Sequence, residues 1–481
     1  MADSRNASLR LVRMKRVVAY QTRVINFLLS MLLAIFMTWW MGESDFTESQ
    51  RYVLFLLFFS VGLWVTEAVP PFAVGIMIVG FLVFFLGSDY FNTNPESVKK
   101  YVNTWSDSVI WLLLGGFFLA EGMKKVGLDR SLFRLTIKRF GTRPRQLLMG
   151  IMLSTGGISM MMSNTATAAM MMAMVAPMLA QLGKGSNFGR ALLLGIAAAA
   201  TVGGMGTIIG SPPNAIAVGS LEHIGIRISF VEWMIFGMPI AIVLIILVWL
   251  LLYKIYPPEI QEVDTGAIAN EEEEPSAEAV SFEEEEKLKK RIVLSILGVT
   301  ALLWLTNNLH GIPVAAVSGI PIILLTMLGI INSDDVRQLP WDTLMLVTGG
   351  LSLGLAISET GLADHFISNL QGNNWNFPLL LVVFALVTVA LSNIMSNTAT
   401  ATILTPIAVI LVPDNPLVLP VVIGLSASCA FMLPVSTPPS AIAFSTGYLQ
   451  QADFRPAGFF IGLLGPALII LWVLACMLMI A

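Results

Sequence analysis

Ser163-Asn164-Thr165-Ala166-Thr167 interrupts the near-continuous apolar run from Gly150 to Gly183, and Ser396-Asn397-Thr398-Ala399-Thr400 interrupts a second such run. Hydroxyls and an amide in oily sequence need partners, because an unsatisfied polar group in hydrocarbon costs several kcal/mol. Two polar interruptions at matching places in two halves of a chain point to a binding site shared between repeats. The rest of the chain is read outward from this pair.

The 481 residues are 56% hydrophobic and 12% charged, with a mean hydropathy of +0.80, whereas an ordinary soluble domain carries about 25% charged residues. The composition specifies an all-α polytopic membrane protein embedded in the lipid bilayer. The 27 basic and 31 acidic side chains nearly balance, and no basic patch suggests nucleic acid. Cys429 and Cys476 sit in apolar sequence, and His223, His310 and His365 lack metal-ligand spacing, so neither a disulfide framework nor a zinc motif is indicated. Arg5, Arg10, Arg13, Lys15, Arg16 and Arg23 precede the first apolar run, which is too long for a signal core and lacks a small-residue cleavage site. A retained first span with its basic end in the cytoplasm is expected.

A spanning helix needs roughly 20 apolar residues. On that rule spans fall near 24–41, 51–69, 71–88, 107–125, 191–222, 231–256, 291–308, 312–331, 342–360, 416–449 and 457–480, about eleven in all. The stretches 146–182 and 377–412 each divide into two short arms around a Ser-Asn-Thr triplet, and re-entrant hairpins fit them better than full crossings. If both hairpins return to their side of entry, the inner segments hold 23 of the 27 Lys and Arg residues; Arg51, Lys99, Lys100 and Arg227 fall outside. A multi-pass protein of the cell inner (plasma) membrane is expected, with its N-terminus cytoplasmic and its C-terminus outside.

An internal repeat organises these spans. Trp105-Ser-Asp107 leads into a helix with Gly115-Gly116, and Trp341-Asp342 leads into one with Gly349-Gly350. Each is followed by an amphipathic stretch, a hairpin, and a helix interrupted by Gly210-Ser-Pro-Pro-Asn214 or Ser436-Thr-Pro-Pro-Ser440. The stretch after the first of these helices carries Lys124, Lys125, Arg130, Arg134, Lys138, Arg139, Arg143 and Arg145, whereas 361–376 has no Lys or Arg. The copies therefore face opposite sides as inverted-topology repeats. The expected organisation is a basic N-terminus (1–23), an extra first helix (24–50), a first repeat (51–256; hairpin 146–182, broken helix 191–222), an acidic cytoplasmic linker (257–290) and a second repeat (291–481; hairpin 377–412, broken helix 416–449). The linker, with runs Glu271–Glu274 and Glu283–Glu286, reads as a solvated connector, and 129–141 and 363–372 read as helices along the membrane surfaces.

Proline has no amide hydrogen and blocks helix continuation. Pro212-Pro213 and Pro438-Pro439 should break their helices at mid-depth, freeing carbonyls before the break and exposing amides after it. At each hairpin tip the second arm starts at the triplet and aims amide donors inward. Oxygens suit sodium, while helix N-termini suit an oxyanion. Ser159 and Ser163, and likewise Ser392 and Ser396, are one turn apart if the first arm is helical to its tip, which puts both hydroxyls on one face. With Asn164 and carbonyls near Gly210, or Asn397 and carbonyls near Ser436, each half can build one sodium cage. No Lys, Arg or His lies in either hairpin core or Pro-Pro loop, so a bound anion needs sodium ions to supply the balancing charge. Proton coupling has no Asp or Glu in these elements to work through, and the hydroxyls have no positioned base, so the chain is not expected to be an enzyme.

The paired Ser-Asn-Thr-Ala-Thr motifs, the Pro-Pro loops and Phe431-Met-Leu-Pro-Val-Ser-Thr-Pro-Pro439 closely resemble the divalent anion:sodium symporters, which include dicarboxylate, citrate and sulfate cotransporters. The resemblance implies a homodimer with a static scaffold and a mobile domain moved elevator-fashion. It implies substrate contacts at Ser163, Asn164, Thr165, Ser396, Asn397, Thr398, Thr437 and Pro438. It implies sodium sites at Ser159, Asn164 and Gly210 in one half and at Ser392, Asn397 and Ser436 in the other. Ser392 stands where relatives resemble a Thr, which keeps the hydroxyl, and Ser440 replaces the Asn that often follows the second Pro-Pro. The expected activity is sodium-coupled import of a C4-dicarboxylate such as succinate, malate or fumarate. A sodium-independent dicarboxylate exchanger, a citrate or sulfate transporter of the same family, and a channel are the alternatives.

Overall fold

A computed structural model describes residues 2–93, 97–263, 277–362, 365, 376–412 and 415–480, and among them the regular secondary structure is helical throughout. The main helices, in chain order, are α1 (Ala2–Met41), α2 (Glu48–Thr66), α3 (Pro71–Leu86), α4 (Ser108–Lys125), α5 (Leu128–Phe140), α6 (Pro144–Ser159), α7 (Asn164–Leu182), α8 (Asn187–Gly203), α9 (Pro212–His223), α10 (Phe230–Ile255), α11 (Ala277–Leu305), α12 (Val314–Met327), α13 (Trp341–Glu359), α14 (Phe377–Ile394), α15 (Asn397–Leu411), α16 (Val418–Ser426), α17 (Pro438–Ser445) and α18 (Gln451–Ile480). Nine segments among the described residues are long and apolar enough to cross a membrane, and they include α7 and α14. The protein is a multi-pass membrane protein.

The chain forms two compact units, and each draws on both halves of the sequence: Met1–Trp105 with Asp342–Asn374, and Ser106–Trp341 with Trp375–Ala481. In the first, α2 starts at a capping box in which Thr47 and Gln50 satisfy each other's backbone amides. Small residues let helices approach closely, as they do in membrane bundles generally. A Cβ on Gly62 of α2 would lie 2.9 Å from Ser30 Cβ of α1, and one on Gly349 of α13 would collide with the Gly75 backbone of α3. Thr104 Oγ1 and Ser352 Oγ meet at 2.7 Å, and Lys100 pairs with Glu359 at 2.8 Å.

The second unit contains both Ser-Asn-Thr segments and both Pro-Pro breaks. Its packing is interlocked. Helix α9, from the first half, packs on α15 and α16, while α17, from the second, packs on α7 and α8. Gly237 of α10 lies against the Met205 carbonyl, which also accepts from the Trp233 indole at 3.0 Å. That carbonyl belongs to the turn after α8, where the intrahelical pattern ends and an outside donor is needed.

Residues 277–290, at the end of the expected linker, form the first part of α11. Its Glu285–Lys289 pair, 2.6 Å apart and one turn along the helix, favours that extension. The condition that the arm before the first triplet be helical to its tip is not met: α6 stops at Ser159. The surface stretch 129–141 is helical as α5, whereas nearly all of 363–372 lies outside the described residues.

Lys125, at the end of α4, pairs with Asp335 in the segment before α13. Burial works to raise the Asp335 carboxyl, but the Lys125 hydrogen bond, the Asn332 amide and the charges of Lys125 and Lys124 hold it below its ordinary value. A carboxyl so held stabilises the fold above the usual carboxylate range and loses that contribution as pH falls through the folded value. Asp335→Asn should therefore lower thermal stability slightly at pH 7, by about 1 kcal/mol or less for a partly exposed pair. The difference between variant and wild type should shrink in unfolding scans as the pH is taken down through the folded value of the carboxyl.

Candidate functional site: two polar centres at broken helices

The first centre begins where α6 ends. Met160–Met162 turn the chain, and Ser163 adopts an extended conformation (φ −62°, ψ 142°) with its Oγ accepting from Ala166 N at 3.3 Å. This is an N-cap, so Ser163 starts α7 rather than finishing α6, and Asn164 is the first helical residue. Helix α8 runs to Gly203, makes one tight turn over Gly204–Gly206 and becomes extended at Thr207, and α9 restarts at Pro212. Proline suits that first position because its missing N–H would be unpaired there anyway.

Four oxygens converge at this break. Ser159 Oγ lies 2.6 Å from Ala200 O and 2.7 Å from Asn164 Oδ1. Its single proton can serve only one of them. The Asn164 side-chain oxygen faces Ser159 Oγ, Ala200 O and Gly210 O, all of them acceptors; turned over, the amide would donate to them at 2.7, 3.0 and 3.1 Å. The cluster is thus short of positive charge or protons, and a cation or an amide NH2 can supply either. Backbone carbonyls, an amide oxygen and a hydroxyl are the donor set that broken helices offer to sodium.

Glycines and a second amide hold this geometry. A Cβ on Gly204 would overlap Asn164 Oδ1 and come within 2.9 Å of Gly210 O, and one on Gly210 would lie 3.1 Å from Ser159 O. Thr207 Oγ1 donates to Met160 O and accepts from Gly210 N at 3.0 Å, which ties the broken-helix loop to the tip of α6. Asn214, fully buried, donates to Gly204 O and Thr207 O, both at 2.8 Å, and its Oδ1 has no partner among the described residues.

The second centre repeats the plan with different side chains. Helix α14 ends at Ile394, Met395 is extended, and Ser396 caps α15 by accepting from Ala399 N at 3.1 Å, so Asn397 again opens the helix. Ser392 Oγ and Asn397 Oδ1 are buried and without a partner among the described residues. Such orphans are costly unless something outside the chain satisfies them. Thr437 caps α17, accepting from Ser440 N at 3.3 Å, with Pro438 as the first helical residue. Thr437 Oγ1 also lies 2.9 Å from Ser440 Oγ and 3.5 Å from Thr201 Oγ1 of α8, so the two broken helices meet there.

Each expected residue thus has a definite place. Ser159, Asn164 and Gly210 come together with Ala200, while the Ser163 and Ser396 hydroxyls serve as caps. Thr165 is exposed and Thr398 half-buried. Ser436 Oγ donates to Asn393 Oδ1 at 2.7 Å rather than toward Ser392. Asn393 went unnoticed in the sequence, as did Thr201, Thr207, Asn214 and the Ala200 carbonyl. Asn393 Oδ1 also accepts from Met432 N at 2.8 Å, and its Nδ2 donates to Val389 O at 2.8 Å. It does with a side chain what the Met160 carbonyl does in the first centre. Its position beside Ser392 was the available signal, and Asn214 was visible as the residue after Pro-Pro.

Among the described residues, no Lys, Arg or His hydrogen-bonds to the groups named above in either centre.

Comparison with known proteins agrees with this architecture. Residues 21–480 match the family described as the sodium:sulfate symporter transmembrane region. The chain is 31% identical over 482 residues to the sodium-dependent dicarboxylate transporter SdcS of Staphylococcus aureus, covering 93% of this chain and 90% of that one. The SdcS of Staphylococcus saprophyticus matches to the same extent. Among solved structures, Neisseria gonorrhoeae MtrF, described with a class of antimetabolite efflux pumps, aligns with a TM-score of 0.54 at 14% identity, over 86% of this chain and 97% of that one. The Alcanivorax borkumensis YdaH transporter aligns with a TM-score of 0.55 at 13% identity, over 84% and 98%. At those identities the likeness speaks for the fold alone. The extent of the family match and the identity to SdcS make the chain a member of the divalent anion:sodium symporter family, whose members are membrane transporters and not enzymes.

Proposed function

We propose that this protein is a sodium-coupled symporter that imports C4-dicarboxylates such as succinate, malate or fumarate across the plasma membrane. The observation that carries this reading is the convergence of Ser159 Oγ, Ala200 O, Gly210 O and the Asn164 side-chain amide at a break without cationic side chains. The names of the SdcS relatives support both the ion and the substrate class.

In this reading α6–α7 and α14–α15 are re-entrant hairpins in two inverted repeats. Sodium occupies the cage of Ser159, Asn164, Ala200 and Gly210, and a second ion is held by Ser392 and Asn397 with the loop around Ser436. The two carboxylates of the substrate lie between the triplets, meeting Ser163, Asn164 and Thr165 on one side and Ser396, Asn397 and Thr398 on the other. Thr437 and Pro438 close the site. Because no side chain neutralises the anion, it binds well only when sodium is present, which couples the two fluxes. Each bound sodium also fixes a hairpin tip against its broken helix, so a loaded site can move as one body between the two faces of a homodimer.

Sodium-driven uptake of labelled succinate into proteoliposomes tests the proposal. Uptake that ran equally well with choline in place of sodium, and counterflow in sodium-free buffer, would assign the protein to sodium-independent exchange instead. Competition by malate and fumarate, but weakly by citrate and sulfate, is the expected pattern. Stronger competition by sulfate would move the substrate class toward the one for which the family region is named.

Asn393 provides a second test. Asn393→Ala removes the acceptor for Met432 N and Ser436 Oγ, one bond exposed and one part-buried, which costs about 0.5–1.5 kcal/mol. The concentration of sodium giving half-maximal uptake should rise about tenfold. Asn393→Asp keeps the acceptor oxygen, so its sodium requirement should stay nearer wild type than that of Asn393→Ala, while the added charge and the lost bond to Val389 O should lower succinate uptake.

A further inference from the structure

Glu43, Asp45 and His365 lie far in sequence from both polar centres and belong to the first compact unit. Their ligand atoms all fall within 4.8 Å of one another. We propose that these three side chains form a binding site for a divalent transition-metal ion of the zinc class. His365 Nε2 lies 3.2 Å from Glu43 Oε2, and Nδ1 lies 4.0 Å from Asp45 Oδ2. Zinc bonds to nitrogen and carboxylate oxygen at about 2.0–2.2 Å, so two tetrahedral ligands stand roughly 3.2–3.6 Å apart. The His365–Glu43 separation falls in that interval. An ion placed there replaces the proton on Nε2, and Asp45, which approaches the ring from its Nδ1 side, completes a set of one nitrogen and two oxygens by turning toward Nε2.

The imidazole is also oriented. Its ring meets Phe46 edge-on, with centroids 4.5 Å apart and planes at 87°, and its side chain is only 17% exposed, against 51% for Glu43 and 68% for Asp45. A packed nitrogen ligand with two exposed carboxylates suits a borderline-soft ion, since imidazole favours zinc, copper and nickel, whereas magnesium and calcium prefer all-oxygen sets. The ion would join the turn between α1 and α2 to the segment following α13. The site is independent of the sodium cages, so it stands or falls apart from the proposed transport cycle.

Untagged full-length protein in detergent, titrated with zinc chloride by calorimetry and by thermal unfolding, tests this site. One saturable zinc per chain and a rise in Tm are expected, with no corresponding effect of magnesium. Changes outside a metal's direct ligands already cost about 10–100-fold in affinity, so His365→Ala should lose roughly tenfold or more and abolish the Tm rise. Glu43→Gln with Asp45→Asn should do the same. Sodium-dependent uptake by these variants in zinc-free buffer should equal that of wild type, which separates a lost ligand from a lost fold. Absence of saturable zinc binding by the wild type would reduce the cluster to an ion pair and overturn the proposal. Identical isotherms for wild type and His365→Ala would also overturn it.

Discussion

Asn164→Ala is expected to raise the sodium concentration for half-maximal uptake by about 10–100-fold, with substrate affinity falling in parallel. The side-chain amide of Asn164 is the member of the first cage that approaches the other three, at 2.7, 3.0 and 3.1 Å. Removing it leaves Ser159 Oγ, Ala200 O and Gly210 O without the fourth oxygen that would share the ion. It also leaves the start of α7 without a side chain facing the break. Each buried polar group deprived of its partner costs about 1–3 kcal/mol, and 1.4 kcal/mol is about a tenfold change in binding. Asn397→Ala should act in the same direction, because Asn397 holds the equivalent place at the start of α15.

Asn164→Asp separates the two roles that alanine removes together. A carboxylate in the cage keeps an oxygen ligand and adds negative charge, so sodium binding should survive or tighten. The same charge at the start of α7 repels an incoming dianion and cancels the benefit of the helix N-terminus. Retained sodium binding with lost succinate uptake is the expected pattern, measured by radiolabelled sodium binding and proteoliposome transport on one preparation. Wild-type uptake by either Asn164 variant would remove the first cage from the mechanism.

The elements that were legible in the sequence are those whose signal lies in side chains. Long apolar runs marked the helices because a span needs length and hydrophobicity together. The two triplets stood out because Ser, Asn and Thr are costly in oil, and the breaks stood out because Pro212 and Pro438 cannot continue a helix. What could not be read belongs to the backbone. Ala200 contributes a carbonyl, a group every residue carries, so its sequence neighbourhood gives no hint. The one-turn spacing of Ser159 and Ser163 suggested a continuous helix face, yet capping α7 requires an extended residue, and Ser163 takes that role. The composition of 257–290 read as solvated connector and did not reveal that residues 277–290 are helical. Charge content alone does not distinguish a polar loop from the exposed start of a long helix.

Gly204→Ala is expected to abolish sodium-coupled uptake while leaving a folded protein, and two nearby glycines show why this effect is specific to position. A Cβ on Gly204 overlaps Asn164 Oδ1 and approaches Gly210 O at 2.9 Å. The methyl therefore lands in the oxygen cage, where only the Asn164 side chain or the broken-helix loop can yield. Gly203, one residue earlier, faces a different surface: its Cβ would lie 2.5 Å from Gly156 Cα and O, backbone against backbone where α6 crosses α8. Gly203→Ala must push two helices apart, a strain of about 1–3 kcal/mol, and should lower Tm as well as activity. Gly157, by contrast, has nothing within 4 Å of its would-be Cβ. Gly157→Ala should keep wild-type uptake and gain roughly 0.5–1 kcal/mol from helix propensity. Thermal unfolding in detergent and sodium-dependent succinate uptake, measured on all three variants, give the comparison. A Gly204→Ala protein with a wild-type sodium response would show that the break can accommodate a methyl, and would argue against a cage drawn as tightly as Asn164, Gly204 and Gly210 draw it.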